Sequence, residues 1–269
     1  MVRPRLGAPG LGLRPPRPRW RTALTSRLAS ALVLGGMATG TGCRSVAASS
    51  TAQNSVPAAS LVPVSENRTA GPWRTLFDGT SLAGWHNFKT PGAPATGWSA
   101  VDGLLVRTGD GGDLVTDREY ANFEFELEWK VGPRGNSGVI YRIDPTADVT
   151  YISGPELQIL DNDRHPDGKN ALTSAGANYA LHAAPTGVVK PANSWNAIRL
   201  IVNGQHVEHW LNGAKVVEYE LGSDDWEARR TSSKFANSNM YGRAKRGFIA
   251  LQDHGDRVEF RNIRLRELP

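Results

Sequence analysis

Apolar and polar residues alternate along most of the chain after position 72. In the segment NFEFELEWKV, the odd positions from 123 to 131 are apolar and the even positions from 124 to 130 are charged. Alternation with a period of two residues is typical of a half-buried β-strand. We therefore predict a strand here, followed by the turn GPRGN and by SGVIYRI as the return strand of a hairpin.

The same pattern continues to the end of the chain. NAIRLIVNGQHVEHWLNGAKVVEYEL contains three alternating runs separated by Asn203-Gly204 and Asn212-Gly213, and Asn-Gly is a strong signal for a tight hairpin turn. RGFIALQDHGDRVEFRNIRLREL predicts two more strands around His254-Gly255. No long window has the period of an amphipathic helix. We predict an all-β fold, a jelly-roll β-sandwich of two packed sheets.

The N-terminal residues have a different pattern. An arginine-rich stretch precedes the apolar run LASALVLGGMATGTG, residues 28 to 42, which is followed by Cys43. This run is short for a membrane span, and we interpret residues 1–43 as an export signal. Two alternatives remain open for Cys43, the only cysteine. It is the lipidated residue of a membrane-anchored cell-envelope lipoprotein, or an incidental cysteine in the signal of a periplasmic or secreted protein.

Composition divides the chain further. Residues 44–71 are rich in Ser, Ala, Pro and Val, which predicts a disordered tether before a single folded domain over residues 72–269. The net charge of +5 comes from the leader, because residues 1–65 contain 8 arginines and no acid. The basic balance is therefore no argument for nucleic-acid binding. Nucleotide-binding, lipase and zinc-protease motifs are also absent from the sequence.

The segment GPELQILDND contains the most suggestive polar pattern. Glu156 and Gln158 lie on one face of a strand, and a bulge at Leu160 would return Asp161 to that face. The resulting Glu-x-Gln-x-x-Asp is similar to the Glu-x-Asp-x-x-Glu motif of retaining jelly-roll glycoside hydrolases. It differs because Gln158 cannot ionise and Asp161 is shorter than Glu. The alternative is a solvated strand end.

Side chains from other segments are expected to face the same groove. Arg142 lies within the apolar VIYRI, where burial requires a partner, and Glu156 is the predicted one. His254 lies at a tight turn, and imidazole is well suited to proton transfer. We also include Asn136, Glu128 and Lys234 as groove residues. Among the other histidines, His206 and His209 lie on opposite strand faces and make a poor metal pair.

Several blocks together resemble one family, the 3-keto-disaccharide hydrolase domain. The resemblance rests on TLFDGTSLAGW, GNSGVIYR, GPELQILDNDRHPDG, WNAIRLIVNGQHVEHWLNG and GFIALQDHGDRVEFRNIRL, and it extends from about Trp73 to Leu268 in the family's order. It implies a concanavalin-A-like jelly roll and an exported bacterial enzyme acting on oxidised glycosides.

The implied chemistry is carbonyl-activated cleavage of a glycoside. A ketone at C3 acidifies the C2 proton, so a base can start elimination of the C1 substituent, and water can add afterwards. We expect Glu156 or His254 as the base, with Arg142 and Gln158 holding the sugar or its enolate oxygen. Asp161, Asn136, Glu128 and Lys234 complete the predicted binding site.

Two alternatives accompany this hypothesis. A divalent cation would replace Arg142 as the electrophile, with Glu156, Asp161 and His254 as the first ligands to consider. The protein would otherwise be a carbohydrate-binding module without catalysis, in which Trp85, Trp98 or Trp210 stacks on sugar rings instead of packing in the core.

Overall fold

A computed structural model describes residues 69–269 of the chain. Within this range there are thirteen strands, one α-helix and two short 3₁₀ helices, Thr150–Ile152 and Pro166–Lys169. The strands are β1 (Arg74–Thr75), β2 (Trp85–Asn87), β3 (Trp98–Val101), β4 (Leu104–Arg107), β5 (Leu114–Thr116), β6 (Phe123–Val131), β7 (Asn136–Ile143), β8 (Glu156–Leu160), β9 (Asn196–Asn203), β10 (His206–Leu211), β11 (Ala214–Glu220), β12 (Phe248–Leu251) and β13 (Val258–Glu267).

The strands form two antiparallel sheets. The eight-stranded sheet has the order β11-β10-β9-β6-β13-β4-β3, with β1 beside β13. The five-stranded sheet has the order β2-β5-β12-β7-β8. Side chains of both sheets share one continuous core, to which β6 and β13 contribute Phe125, Trp129 and Phe260. The predicted jelly-roll β-sandwich is confirmed.

Two of the three predicted hairpins are confirmed and one is not. Strands β9, β10 and β11 pair in sequence through the turns at Asn203-Gly204 and Asn212-Gly213. In contrast, β6 and β7 belong to different sheets, as do β12 and β13. The segments GPRGN and DHG therefore carry the chain from one sheet to the other, because a Gly-containing turn can bend a chain without pairing its two strands.

The helix α1 (Asp224–Thr231) is a feature that the alternation pattern did not predict. Ser223 caps its N-terminus by accepting a hydrogen bond from Trp226 N at 3.2 Å, and acidic residues occupy the first turn. Trp226 is fully buried and stacks on Tyr219 and Tyr241 at centroid distances of 5.2 and 5.8 Å. The helix thus fixes the start of the loop that follows it.

The predicted export signal, Cys43 and most of the predicted tether lie outside the described residues. Gly71 N donates to Glu267 O at 2.8 Å, so regular contacts with the domain begin one residue before the predicted boundary. Over residues 69–269, no helix has the length and apolar character needed to cross a membrane.

Candidate active site

The candidate site lies on the outer face of the five-stranded sheet. Cα partners across this sheet run from His86 through Val115, Ala250 and Ile140 to Glu156. Because side chains alternate along each strand, Glu156 and Gln158 point away from the core, whereas Leu157 and Ile159 pack into it. Most of this face is apolar. The polar groups concentrate at its β7–β8 end.

Glu156 is the buried acid of this face. Only 5% of the residue is exposed, and burial raises the pKa of its carboxyl to about 8. The positive charge of Lys234 and hydrogen bonding by the Gln252 side chain act in the opposite direction, while Asp113 and Asp167 raise the pKa further. A carboxyl group with a pKa near neutrality can exchange a proton with a substrate at physiological pH.

Gly138 makes room for this carboxyl on the neighbouring strand. A Cβ atom on residue 138 would overlap Glu156 Oε1 and would lie 2.8 Å from Cδ and 2.9 Å from Cγ. The backbone of Gly138 does not have a positive φ, so the glycine is required for space and not for its conformation.

Two connecting segments, one between β8 and β9 and one after α1, bring three further polar residues near Glu156. Tyr179 N donates to Glu156 O at 3.0 Å, and Tyr179 Oη donates to Asp167 Oδ2 at 3.3 Å. Lys234 Nζ lies over the Tyr179 ring, 4.0 Å from its centroid. Burial raises the pKa of the Tyr179 phenol, and the neighbouring carboxylates of Asp167 and Glu156 raise it further. Tyr179 therefore remains a neutral hydrogen-bonding group.

Two amide oxygens on the same face lack a protein hydrogen-bond partner. They are Asn136 Oδ1, whose residue is 3% exposed, and Gln252 Oε1. Gln252 N donates to Gly138 O at 2.9 Å, which places Gln252 beside the Glu156 carboxyl. Unpaired buried acceptors are costly, and sugar hydroxyl groups are donors that would satisfy them.

His254 lies at the exposed rim of this face. It follows Asp253, whose carboxylate forms an ion pair with Arg107 and accepts a hydrogen bond from Gly112 N at 3.1 Å. Asp253 N in turn donates to Asp113 Oδ1 at 2.8 Å. Burial raises the pKa of Asp113, while the hydrogen bond from Thr150 Oγ1 lowers it. The turn that carries His254 is therefore held firmly at one end.

The predicted pairing of Arg142 with Glu156 is wrong. The Arg142 guanidinium donates from Nε and Nη2 to Ala121 O at 3.0 and 2.8 Å, and from Nη2 to Asn122 Oδ1 at 3.3 Å. These acceptors belong to the segment that leads into β6 of the other sheet. A positive φ of 50° at Arg142 and a register shift in the β7–β12 pairing accompany this change of direction.

Gln158 and Asp161 do not offer free side chains to the groove either. Gln158 Nε2 donates to Thr173 O at 3.2 Å, and Gln158 Oε1 accepts from Ile159 N at 3.2 Å. The predicted bulge is absent, because the β7–β8 register is regular up to Leu160, where β8 ends. Asp161 Oδ2 instead accepts from Arg134 N at 2.7 Å and holds the β6–β7 connection.

Glu128 was expected in the same groove but belongs to the eight-stranded sheet. It forms an ion pair with Arg261 at 2.6 Å on the outer face of that sheet. There it lines a separate groove of about 940 Å³ together with Trp210 and Arg199. Trp85 and Trp98 are buried in the core, at 4% and 3% exposure, so neither is a stacking platform.

The remaining histidines are placed by packing. His209 is fully buried and hydrogen-bonds Gly176 O at 3.1 Å, whereas His206 is partly exposed, so the two lie on opposite faces of the strand, as predicted. In residues 69–269, only one group of three His, Cys, Asp or Glu side chains has its ligand atoms close enough to hold one metal ion, and it consists of His206, Glu208 and Glu218. They are remote from Glu156 in the fold and are already paired with Lys215 and Glu220. The structure does not bring Asp161 together with Glu156 and His254.

Sequence reasoning missed Asp113, Gln252 and Tyr179. Gln252 had a detectable signal, since residues 250, 252 and 254 share a strand face and His254 had been singled out. Asp113 follows a run of glycines and aspartates without periodicity, and Tyr179 lies in a loop, so neither had a local pattern to mark it.

Comparisons with known proteins agree on one relationship. Residues 72–266 match the model of the family described as the 3-keto-alpha-glucoside-1,2-lyase-like domain. A 3-keto-disaccharide hydrolase of Bacteroides thetaiotaomicron is 36% identical over 227 residues, which cover 72% of this chain and 78% of the relative.

Solved structures support the same relationship. A proposed glycosyl hydrolase from Parabacteroides distasonis is 35% identical with a TM-score of 0.68, and the match covers 74% of this chain and 94% of the other. A second proposed glycosyl hydrolase from this organism is 32% identical with a TM-score of 0.59, and the match covers 73% of this chain and all of the other.

Proposed function

This chain belongs to the family of 3-keto-alpha-glucoside-1,2-lyase-like domains, and we propose that it cleaves the glycosidic bond of sugars that carry a ketone at C3. The observation that supports this most directly is the buried Glu156 carboxyl, with a pKa of about 8, beside a cation and unpaired amide acceptors. The relatives supply the substrate class. The site supplies a base suited to it.

The reaction begins with removal of the C2 proton. Ionised Glu156 takes this proton, and the electron pair moves toward the C3 carbonyl to give an enolate. The enolate then expels the oxygen at C1, which receives a proton, and a C1–C2 double bond forms. Addition of water to that bond gives the hydrolysed sugar. A single carboxyl group can serve as base and then as acid, so a second carboxylate at glycosidase spacing is not required.

The other groups of the site bind the sugar and its charge. The Lys234 ammonium is near enough to Glu156 to lower its pKa, and a positive charge beside the base stabilises an enolate oxygen. Asn136 Oδ1 and Gln252 Oε1 accept from sugar hydroxyl groups. We assign His254, which is exposed on the turn after Asp253, to the leaving group.

The test compares a 3-keto-glucoside with its unoxidised parent. Release of the aglycone from the keto sugar alone is expected, and it should fall at least 100-fold in Glu156→Gln. Glu128→Gln is the matched control, because it neutralises another carboxylate on a strand of the opposite sheet. Binding of both sugars with release from neither would instead identify a carbohydrate-binding module. Equal release from both sugars would refute activation by the ketone.

Export is part of this proposal. The apolar run of residues 28–42 followed by Cys43 supports a signal, and a lipid on Cys43 would hold the domain at the membrane. Expression of the full chain in a bacterium that is fed a labelled fatty acid tests this. Label in the wild type and none in Cys43→Ser is the expected result, while an exported, unlabelled wild type would indicate an ordinary secretory signal.

A further inference from the structure

Lys234 occupies an unusual position for a surface lysine. The residue is exposed, yet its ammonium lies 4.0 Å from the centroid of Tyr179 and 5.0 Å from that of Phe235. Within the described part of the chain, these two rings are its close partners, since neither Glu156 nor Asp167 forms an ion pair with it. Its amine is therefore accessible to a molecule in the site.

The loop that carries Lys234 is fixed in place. Phe235 stacks on Tyr241 with a centroid distance of 3.8 Å and an interplanar angle of 11°. Arg230 Nη1 donates to the carbonyl groups of Phe235, Ala236 and Ser238 at 3.2 to 3.4 Å. Lys234 thus has a defined position relative to Tyr179, whose backbone is hydrogen-bonded to that of Glu156.

An accessible amine beside a base and a ketone substrate suggests covalent chemistry. Building on the proposed function, we infer that Lys234 acts as a catalytic nucleophile in place of a charge on the enolate oxygen: its Nζ condenses with the C3 ketone of the sugar to form an iminium ion. An iminium ion withdraws electrons more strongly than a ketone, so the C2 proton becomes more acidic. The Tyr179 and Phe235 rings cover one side of the ammonium, and this partial desolvation lowers the pKa of Lys234, which increases the neutral fraction that can attack.

The covalent route balances without any additional reactant. The neutral amine adds to C3, and uptake of one proton with loss of one water gives the iminium ion; the final hydrolysis returns this proton. Glu156 removes the C2 proton, and the C–H electrons form a C2–C3 double bond of a neutral enamine. The enamine then expels the C1 oxygen, which takes up the proton held by Glu156, and the iminium ion is restored. Water hydrolyses that ion and releases the ketone and the free lysine.

Reductive trapping tests this inference directly. The wild-type protein is incubated with a 3-keto-glucoside in the presence of sodium cyanoborohydride, and aglycone release and the intact mass are measured in the same sample. A covalent sugar adduct that peptide mapping locates at Lys234 is the expected result. Lys215→Arg provides the matched control, because Lys215 is a charged lysine on the opposite sheet. This variant should still form the adduct at Lys234.

The outcomes separate the covalent role from the proposed function. Aglycone release without any adduct would overturn the inference and leave keto-sugar cleavage intact. Neither release nor adduct would overturn both. In Lys234→Arg, which keeps the positive charge but has no amine, we expect the adduct to vanish and kcat to fall at least 100-fold. Retention of wild-type kcat in that variant would show that charge alone is sufficient, which refutes the nucleophile.

Discussion

The Glu156 carboxyl lies directly over the Cα of Gly138 on the neighbouring strand. The distances from a Cβ at position 138 to Glu156 Cδ and Cγ would be 2.8 and 2.9 Å, shorter than any normal carbon contact. The position of the acid in the site is therefore determined partly by a missing side chain. The backbone conformation of Gly138 does not itself require glycine, because its φ is not positive.

Replacing Gly138 by alanine should move the acid without unfolding the domain. We expect Gly138→Ala to reduce kcat/KM for a 3-keto-glucoside by about 100-fold, the effect of displacing a catalytic group by about 1 Å. Gly109→Ala is the control, since a Cβ at residue 109 meets no atom within 4 Å. Circular dichroism and steady-state kinetics on both variants check this. Full activity in Gly138→Ala would mean that Glu156 acts from another position or not at all.

The pH dependence of turnover should report the Glu156 base. Because the ionised form removes the proton, kcat/KM is expected to rise about tenfold per pH unit below pH 8 and to level off above the pKa of about 8. Keto sugars also eliminate in alkali, so the rate with Glu156→Gln at each pH is subtracted. A kcat/KM that falls above pH 8 would show that Glu156 works in its protonated form, as a general acid.

The same carboxyl should make the fold less stable as pH rises. The pKa of Glu156 lies above its unfolded value of 4.5, so the unfolded state releases the proton first and the free energy of unfolding falls between pH 4.5 and about 8. Glu156→Gln removes this loss. At pH 8.5 we expect the variant to be more stable by about 2 to 5 kcal/mol, from about 1.4 kcal/mol per pH unit.

Urea unfolding at two pH values checks the stability prediction. At pH 4.5 the two proteins should have similar free energies of unfolding, because the wild-type acid is protonated in the folded state and half-protonated in the unfolded state, a difference worth less than about 0.5 kcal/mol. A stability gain that is equal at pH 4.5 and 8.5 would come from packing and would contradict the titration. Glu128→Gln, a partly exposed residue, should change stability by less than about 1 kcal/mol at either pH.

The sequence predicts most of the fold but fewer of the site residues, for physical reasons. Alternation marks a strand and its buried face wherever one side packs on a core, and it correctly placed Glu156 on the outer face. Pairing is not a local property, so GPRGN was interpreted as a hairpin turn although it joins strands of different sheets. Site residues from loops, such as Tyr179, have no periodicity at all. Their place depends on the fold around them.

Glu128 and Arg142 show how this limit affects a candidate site. Glu128 was expected in the groove as a polar residue near a strand end, and Arg142 because a buried cation needs a partner. Glu128 lies on β6, which belongs to the eight-stranded sheet, so its side chain is on the opposite side of the sandwich. Arg142 has a positive φ, and its side chain points toward Ala121. Neither event leaves a signature in the residues themselves.

Arg142 should therefore matter for stability and not for turnover. Arg142→Met leaves the Ala121 carbonyl without its two guanidinium hydrogen bonds, and the free energy of unfolding should fall by about 1 to 3 kcal/mol. Arg118→Met is the matched control, because Arg118 is exposed and its ion pair with Glu267 is 3.4 Å long, worth at most about 1 kcal/mol. Denaturant unfolding and kcat/KM on the same preparations separate the two roles, with kcat/KM expected to change less than about threefold because no substrate contact is lost. A folded Arg142→Met protein with unchanged stability and a 100-fold loss of kcat/KM would restore Arg142 as a substrate-binding residue.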